Sequence, residues 1–218
     1  MATQQQLVKT LLDKHGRTFA SELGADLAKN TPAPLFQLLC LALLTSAPVQ
    51  ADIAMQGARA LIDAGWTTPQ KMRDSRWQQR VAALNAAGYA RVDEKTATQL
   101  AELVDTLQSE YGDDLRGVRQ RADGDVHEAR KALKVFKGIG AVGADIFLRE
   151  VQTVWSEFYP FADKAALTAA GKLELPSDAQ ALSKLVDRKD FTRLVVALVR
   201  TQLAKDFDSV RRAVERRG

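Results

Sequence analysis

The sequence predicts an all-α protein. Apolar residues recur at three- and four-residue spacing along almost the whole chain. No alternating apolar–polar run is long enough to make a useful strand. The breaks between periodic segments carry helix-stop and helix-start residues such as Gly16, Pro48, Gly65 and Thr68-Pro69.

In chain order, Leu7, Leu11 and Leu12 give the first helix one apolar face, and His15-Gly16 ends it. A second short helix is expected over "SELGADLAK", followed by a break at "NTPAP". Leu35 to Ala47 reads as a strongly apolar, buried helix stopped by Pro48. Asp52 to Ala64 follows, stopped by Gly65. Thr68-Pro69 opens the next helix, because Thr caps well and Pro suits the first turn. "WQQRVAALNAAGY" and "VDEKTATQLAELVDTLQSEYG" are two amphipathic helices, and "GDDLRGVRQRADGD" is a polar connection holding a short helix at most. Helices over "VHEARKALKVFK" and "VGADIFLREVQTV" flank a glycine turn. After "WSEFYPFAD" come "KAALTAAGKLEL", "SDAQALSKLVD" and "DFTRLVVALVRTQLAKDF", then a basic end.

A length of 218 residues allows one large domain or two small ones. The net charge of +4 is compatible with a polyanionic partner but does not specify one. Cys40 is the only cysteine, which excludes an intrachain disulfide and a four-cysteine zinc or iron–sulfur site. Within an apolar run it reads as a core residue. With only His15 and His127 besides, no metal site made of side chains is expected. The N-terminus lacks a signal-peptide core, and the longest apolar stretch is too short to span a bilayer. The expectation is a cytoplasmic protein without membrane contact, and a monomer.

The segment "KVFKGIGAVGADIFL" (134–148) fits the pattern G-x-G-x-x-G at Gly138, Gly140 and Gly143. A dinucleotide-binding turn would need a buried strand before it, and "EARKALKVFK" has helical spacing instead. A helix–hairpin–helix is the better reading. Gly138 and Gly140 would allow a tight reversal with positive φ, and Gly143 close packing of the second helix. The turn's backbone amides would then form an anion site on the helix dipole, suited to a phosphodiester. Lys134 and Lys137 lie beside it. A plain turn between helices, with glycines serving packing alone, remains the alternative.

"LKVFKGIGAVGADIFL" followed by "FADKAALTAAGKLEL" resembles the helix–hairpin–helix–Gly/Pro–Asp superfamily of DNA glycosylases, in its endonuclease III-like branch. The resemblance also touches "PLFQLLCLALLTSAPVQADIA", "LNAAGYARVDEKTATQLAELV" and "FTRLVVALVRTQL". It implies two helical lobes: residues 33–150 as a bundle ending in the hairpin, and residues 1–32 with 151–218 as the second. A cleft would lie between them. It implies double-stranded DNA as partner, gripped by Lys134, Lys137, Gly138, Ile139, Gly140, Ala141, Val142 and Gly143. A monovalent cation held by the hairpin carbonyls would be the only ion. Asp163 matches the catalytic aspartate.

The departures from the pattern are specific. Val142 stands where the family's Schiff-base lysine is found, the C-terminal cysteine cluster is absent, and Pro48 replaces the wedge glutamine. Lys137 stands where proline is common, and Lys164 and Ala165, not a histidine, follow Asp163. Valine offers no amine, so any excision should be hydrolytic, leaving an abasic site. Removal of a damaged or mispaired base is therefore expected, with a non-catalytic DNA-binding protein of the same fold as the alternative. Cleavage would build positive charge on the sugar, which a fixed carboxylate can stabilise. At the start of a helix, Asp163 also suits plain N-capping.

An extruded base needs a pocket. Trp155, Phe158, Tyr159 and Phe161, just ahead of Asp163, are candidates to line it, with core packing the simpler role for most of them. Arg116, Arg119 and Arg121 with Lys131, and Arg211, Arg212, Arg216 and Arg217, could extend a phosphate surface or be ordinary solvated charge. Trp66 and Trp77 are expected in the core, and the Lys164 side chain is expected to point away from Asp163 into solvent.

Overall fold

The computed structural model describes residues 4–215 and contains helices but no strand among them. The elements are α1 (Gln4–His15), α2 (Phe19–Leu23), α3 (Pro32–Ser46), α4 (Ala51–Asp63), α5 (Pro69–Arg73), α6 (Trp77–Ala86) and α7 (Asp93–Tyr111). They continue with α8 (Arg116–Ala122), α9 (Val126–Leu133), α10 (Ala141–Val151), α11 (Lys164–Lys172), α12 (Ala179–Ser183), α13 (Arg188–Ala204) and α14 (Phe207–Glu215). Arg216 and Arg217 lie outside the described residues. No described helix is long and apolar enough to cross a membrane.

Several boundaries differ from expectation: α9 and α12 end four residues early, at Leu133 and Ser183. "NTPAP" is not a break throughout: Pro32 and Pro34 sit inside the first turn of α3, with Pro32 at its first position. Amides there have no helical acceptor, so proline removes nothing. "SELGADLAK" is not one helix: α2 ends at left-handed Gly24 (φ 86°), and a single 3-10 turn spans Leu27–Lys29. The last long helix stops at Lys205, also left-handed (φ 54°), and α14 begins after it.

Buried apolar side chains form two clusters. The first runs from Ala20 to Phe161 and takes its centre from α3, where ten residues between Pro34 and Leu44 are buried. Each such leucine contributes roughly 1.5–3 kcal/mol over exposure. The second joins Val8 and Leu11 of α1 to α11, α13 and Val210 of α14. Helix α10 packs against both α3 and α13, and Phe19 packs against both clusters. Cys40 is buried as expected, and burial drives its thiol pKa far up. Trp77 is not core: it is 38% exposed, and its indole N–H donates to Thr98 Oγ1 at 3.0 Å.

Candidate functional site

Helix α9 ends at Leu133, and the chain turns through residues 134–140 into α10. Phe136 and Ile139 are buried and anchor the turn, with the Ile139 amide donating to the Phe136 carbonyl at 2.9 Å. Gly138 is left-handed (φ 92°), and a Cβ there would lie 2.5 Å from Leu43 Cδ1 and 2.7 Å from Gln99 Nε2. Gly140 is not left-handed as expected; it is extended, with φ −88° and ψ −167°. The reversal is thus made at Gly138, while Gly140 is the residue from which α10 starts. A Cβ on Gly143 would fall 2.4 Å from Ser46 Oγ, which accounts for the close approach of α10 to α3.

No side chain caps α10. The amides of Ala141, Val142 and Gly143 therefore have no helical acceptor and carry the positive end of the helix dipole. Gly140, Ala141 and Val142 are exposed. Lys134 is exposed and has no partner among the described residues, whereas Lys137 Nζ is held by Glu102 Oε1 at 2.6 Å. No donor among the described residues reaches the carbonyls of Lys137, Gly138 or Ile139.

Asp163 caps α11: Oδ1 accepts from the Ala166 amide at 2.9 Å. Its Oδ2 accepts from Arg149 Nε at 2.8 Å and also from an Arg149 terminal nitrogen. Both side chains are 5% exposed, so this is a buried, two-pronged ion pair. Gln152 holds the approach to Asp163. Its Nε2 donates to the Arg149 and Phe161 carbonyls, and its Oε1 accepts from the Phe161 amide. Residues of α10 thus fix where Asp163 sits.

Beside these residues lies a cavity of about 270 Å³. Val142, Asp145, Ile146 and Arg149 line it from α10, at the spacing that shares one helix face. Leu38, Leu41 and Thr45 of α3, Met55 of α4, Asp163, Lys164, Ala165, Val199, Leu203 and Phe19 complete most of the wall. Val142 and Leu203 are among the few large apolar side chains left exposed, at 67% and 54%. Lys164 is exposed, as a solvated lysine would be, and is also among the residues lining the cavity. Phe19 is held there by Glu150, whose two carboxylate oxygens accept from the Phe19 and Ala20 amides at 2.7 Å each. Burial pushes the Glu150 carboxyl above the ordinary range, against the opposing pull of those two amides.

The aromatic candidates lie elsewhere. Trp155 is fully buried, stacks edge-on with Phe147 and Phe158, and donates to Asn30 Oδ1 at 3.0 Å. Tyr159 packs edge-on against Phe191, and Phe161 lies beneath Arg130. None of Trp155, Phe158, Tyr159 and Phe161 lines the cavity, where Phe19 is the aromatic residue. The arginines near 116–121 each have an acidic partner. Arg116 pairs with Asp114, Arg119 with Glu157 and Arg121 with Glu110. Lys131 pairs with Glu128, and Arg211 pairs with Asp208 and the Lys172 carbonyl.

Sequence reasoning missed Asp145, Arg149, Glu150 and Gln152. The available signal was three polar residues, 149, 150 and 152, in the half of α10 otherwise filled by Ile146, Phe147, Leu148 and Val151. A helix that apolar has no solvent face for them, so they had to serve buried partners. Comparison with known proteins gives no family model, no curated relative and no solved structure that matches this chain.

Proposed function

We propose that the chain binds duplex DNA and hydrolyses the bond between a damaged or mispaired base and its sugar. One observation carries the reading. An uncapped helix start, with residues 140–142 exposed, opens beside an apolar cavity whose lining includes Val142, Asp145 and Asp163. The amides suit a phosphodiester without reading sequence. The cavity suits an extruded base, and a carboxylate in its wall suits the positive charge that develops on the sugar. In this reading two lobes, residues 33–150 and the rest, meet at the cavity; the two buried clusters divide the chain differently, since Ala20 to Leu27 and Val151 to Phe161 pack into the first of them. The carbonyls of Lys137, Gly138 and Ile139 would hold a monovalent cation, which would add positive charge next to the phosphate.

Val142 projects toward the cavity where a Schiff-base lysine would stand, so the product is an abasic site in an intact strand. The second reading, a DNA-binding protein without catalysis, is favoured by one observation: both oxygens of Asp163 are already engaged, by Ala166 and Arg149. Base release from a panel of lesion-containing duplexes separates the two. Release by wild type supports excision. Tight duplex binding without release from any lesion supports the non-catalytic reading. Absence of duplex binding even at low salt defeats both.

A further inference from the structure

Three acidic residues line the cavity, Asp145, Glu150 and Asp163, and they are not equivalent. Glu150 is buried and both its oxygens are taken by the Phe19 and Ala20 amides. Asp163 is 5% exposed, and each of its oxygens has a protein partner. Its negative charge sits against a guanidinium equally withdrawn from water, so little of it is left for a developing cation. Asp145 is different. Its Oδ1 accepts from Arg130 Nε at 2.5 Å, while Oδ2 has no partner among the described residues. That oxygen is not among the buried unpartnered atoms, so it is open to solvent. The Asp145 side chain is 20% exposed and its Arg130 partner 37%, so water screens the pair and it can loosen at small cost. Arg130 also lies 5.2 Å over the Phe161 ring, which steadies it at the edge of the site.

Helix geometry places Asp145 well. It stands three residues after Val142 and four before Arg149, on the face of α10 that lines the cavity. The first turn of the same helix carries the uncapped amides. The amides that would grip a phosphate stand about one helical turn before Asp145.

Resting on the excision reading, we infer that Asp145, and not Asp163, is the catalytic carboxylate of this chain. Its free oxygen takes a proton from a water molecule as the water oxygen bonds to the sugar C1′. The C1′–N bond breaks with its electron pair going to the base nitrogen. That nitrogen takes up a proton, returned by Asp145 or by solvent. The products are the free base and an abasic sugar bearing a hydroxyl. Asp163 is a positioning residue: it starts α11 and anchors Arg149.

The test compares wild type, Asp145→Asn, Asp145→Glu and the double variant Arg149→Met/Asp163→Asn on the same lesion panel, with duplex affinity measured in parallel. The expectation is a loss of about 10²–10⁴-fold in base release for Asp145→Asn, the range for a missing general base. Duplex affinity should stay within a few-fold, and Asp145→Glu should recover part of the rate. The double variant should lose less than Asp145→Asn. Undiminished release by Asp145→Asn, or a larger loss in the double variant, overturns the assignment while leaving excision standing. No release by wild type from any lesion removes excision itself, and this assignment with it.

Discussion

The buried pair Arg149–Asp163 makes a stability prediction that needs no substrate. Arg149→Met removes the guanidinium and leaves Asp163 with one amide bond and an uncompensated charge, at 5% exposure. Breaking a buried pair in this way costs about 3–5 kcal/mol. Asp163→Asn leaves the opposite problem, a buried cation, and should cost a similar amount, although its side-chain oxygen can still accept from Ala166. Making both changes removes both charges and keeps the cap, since Asn caps about as well as Asp. What remains is an Asn amide without its partner, about 1–3 kcal/mol. The single changes would therefore sum to about 6–10 kcal/mol and the pair would cost far less, a coupling of at least about 3 kcal/mol. Urea denaturation at neutral pH measures all four proteins, with shifts in midpoint read at unchanged slope. Single effects that are each below about 1 kcal/mol and add within about 0.5 kcal/mol would show that water screens the pair. In that event Asp163 would be free for chemistry, and the contrast drawn with Asp145 would fail.

Three further outcomes are expected. Gly138→Ala forces a left-handed residue and brings Cβ to 2.5 Å from Leu43 Cδ1; with strain of about 1–2 kcal/mol and overpacking of about 1–3, a loss of at least ~2 kcal/mol in urea titration is expected. Lys134→Ala should weaken duplex binding on every sequence and reduce the log K–log salt slope by about 0.9, whereas Glu102→Gln, which frees Lys137, should strengthen binding. Glu150 has a folded-state pKa raised by burial, so the folded protein holds its proton more tightly than the unfolded chain does. Its contribution is then complete below the unfolded value of about 4.3 and is lost as pH rises through the raised folded value. The stability of wild type relative to Glu150→Gln should therefore fall as pH rises from the ordinary glutamate range, and a flat difference between the two urea midpoints would contradict the burial argument.

The helical architecture was legible because its cause is local. Spacing at Leu7, Leu11 and Leu12, the Thr68-Pro69 start and the Asp163 cap all act within one or two turns, and each is found where the sequence puts it. The chain ends α13 at Lys205 in the left-handed region, where glycine is usual, so no local signal marks the division from α14. The pairing of the charges was not legible, for the opposite reason. Arg119 meets Glu157 across 38 positions and Lys137 meets Glu102 across 35, so runs that look free in sequence are neutralised by partners that only the fold supplies. The cavity is the extreme case, since its wall draws on Phe19, α3, α4, α10, α11 and α13.

Helix α10 shows why the site depends on contacts of this remote kind. Its first turn is left uncapped at the surface, and its last turns are committed inward, to Asp163 through Arg149, to Phe19 through Glu150 and to Phe161 through Gln152. One element therefore sets the spacing between the uncapped end and the cavity wall, and it does so with buried polar groups held by named partners. A buried polar group left unpaired costs more than its bond contributes when made, so each of these links is hard to slip. Asp145 stands on the same helix but outside that network, held by one screened bond. The residue whose freedom chemistry would require is the one that the packing leaves unlocked.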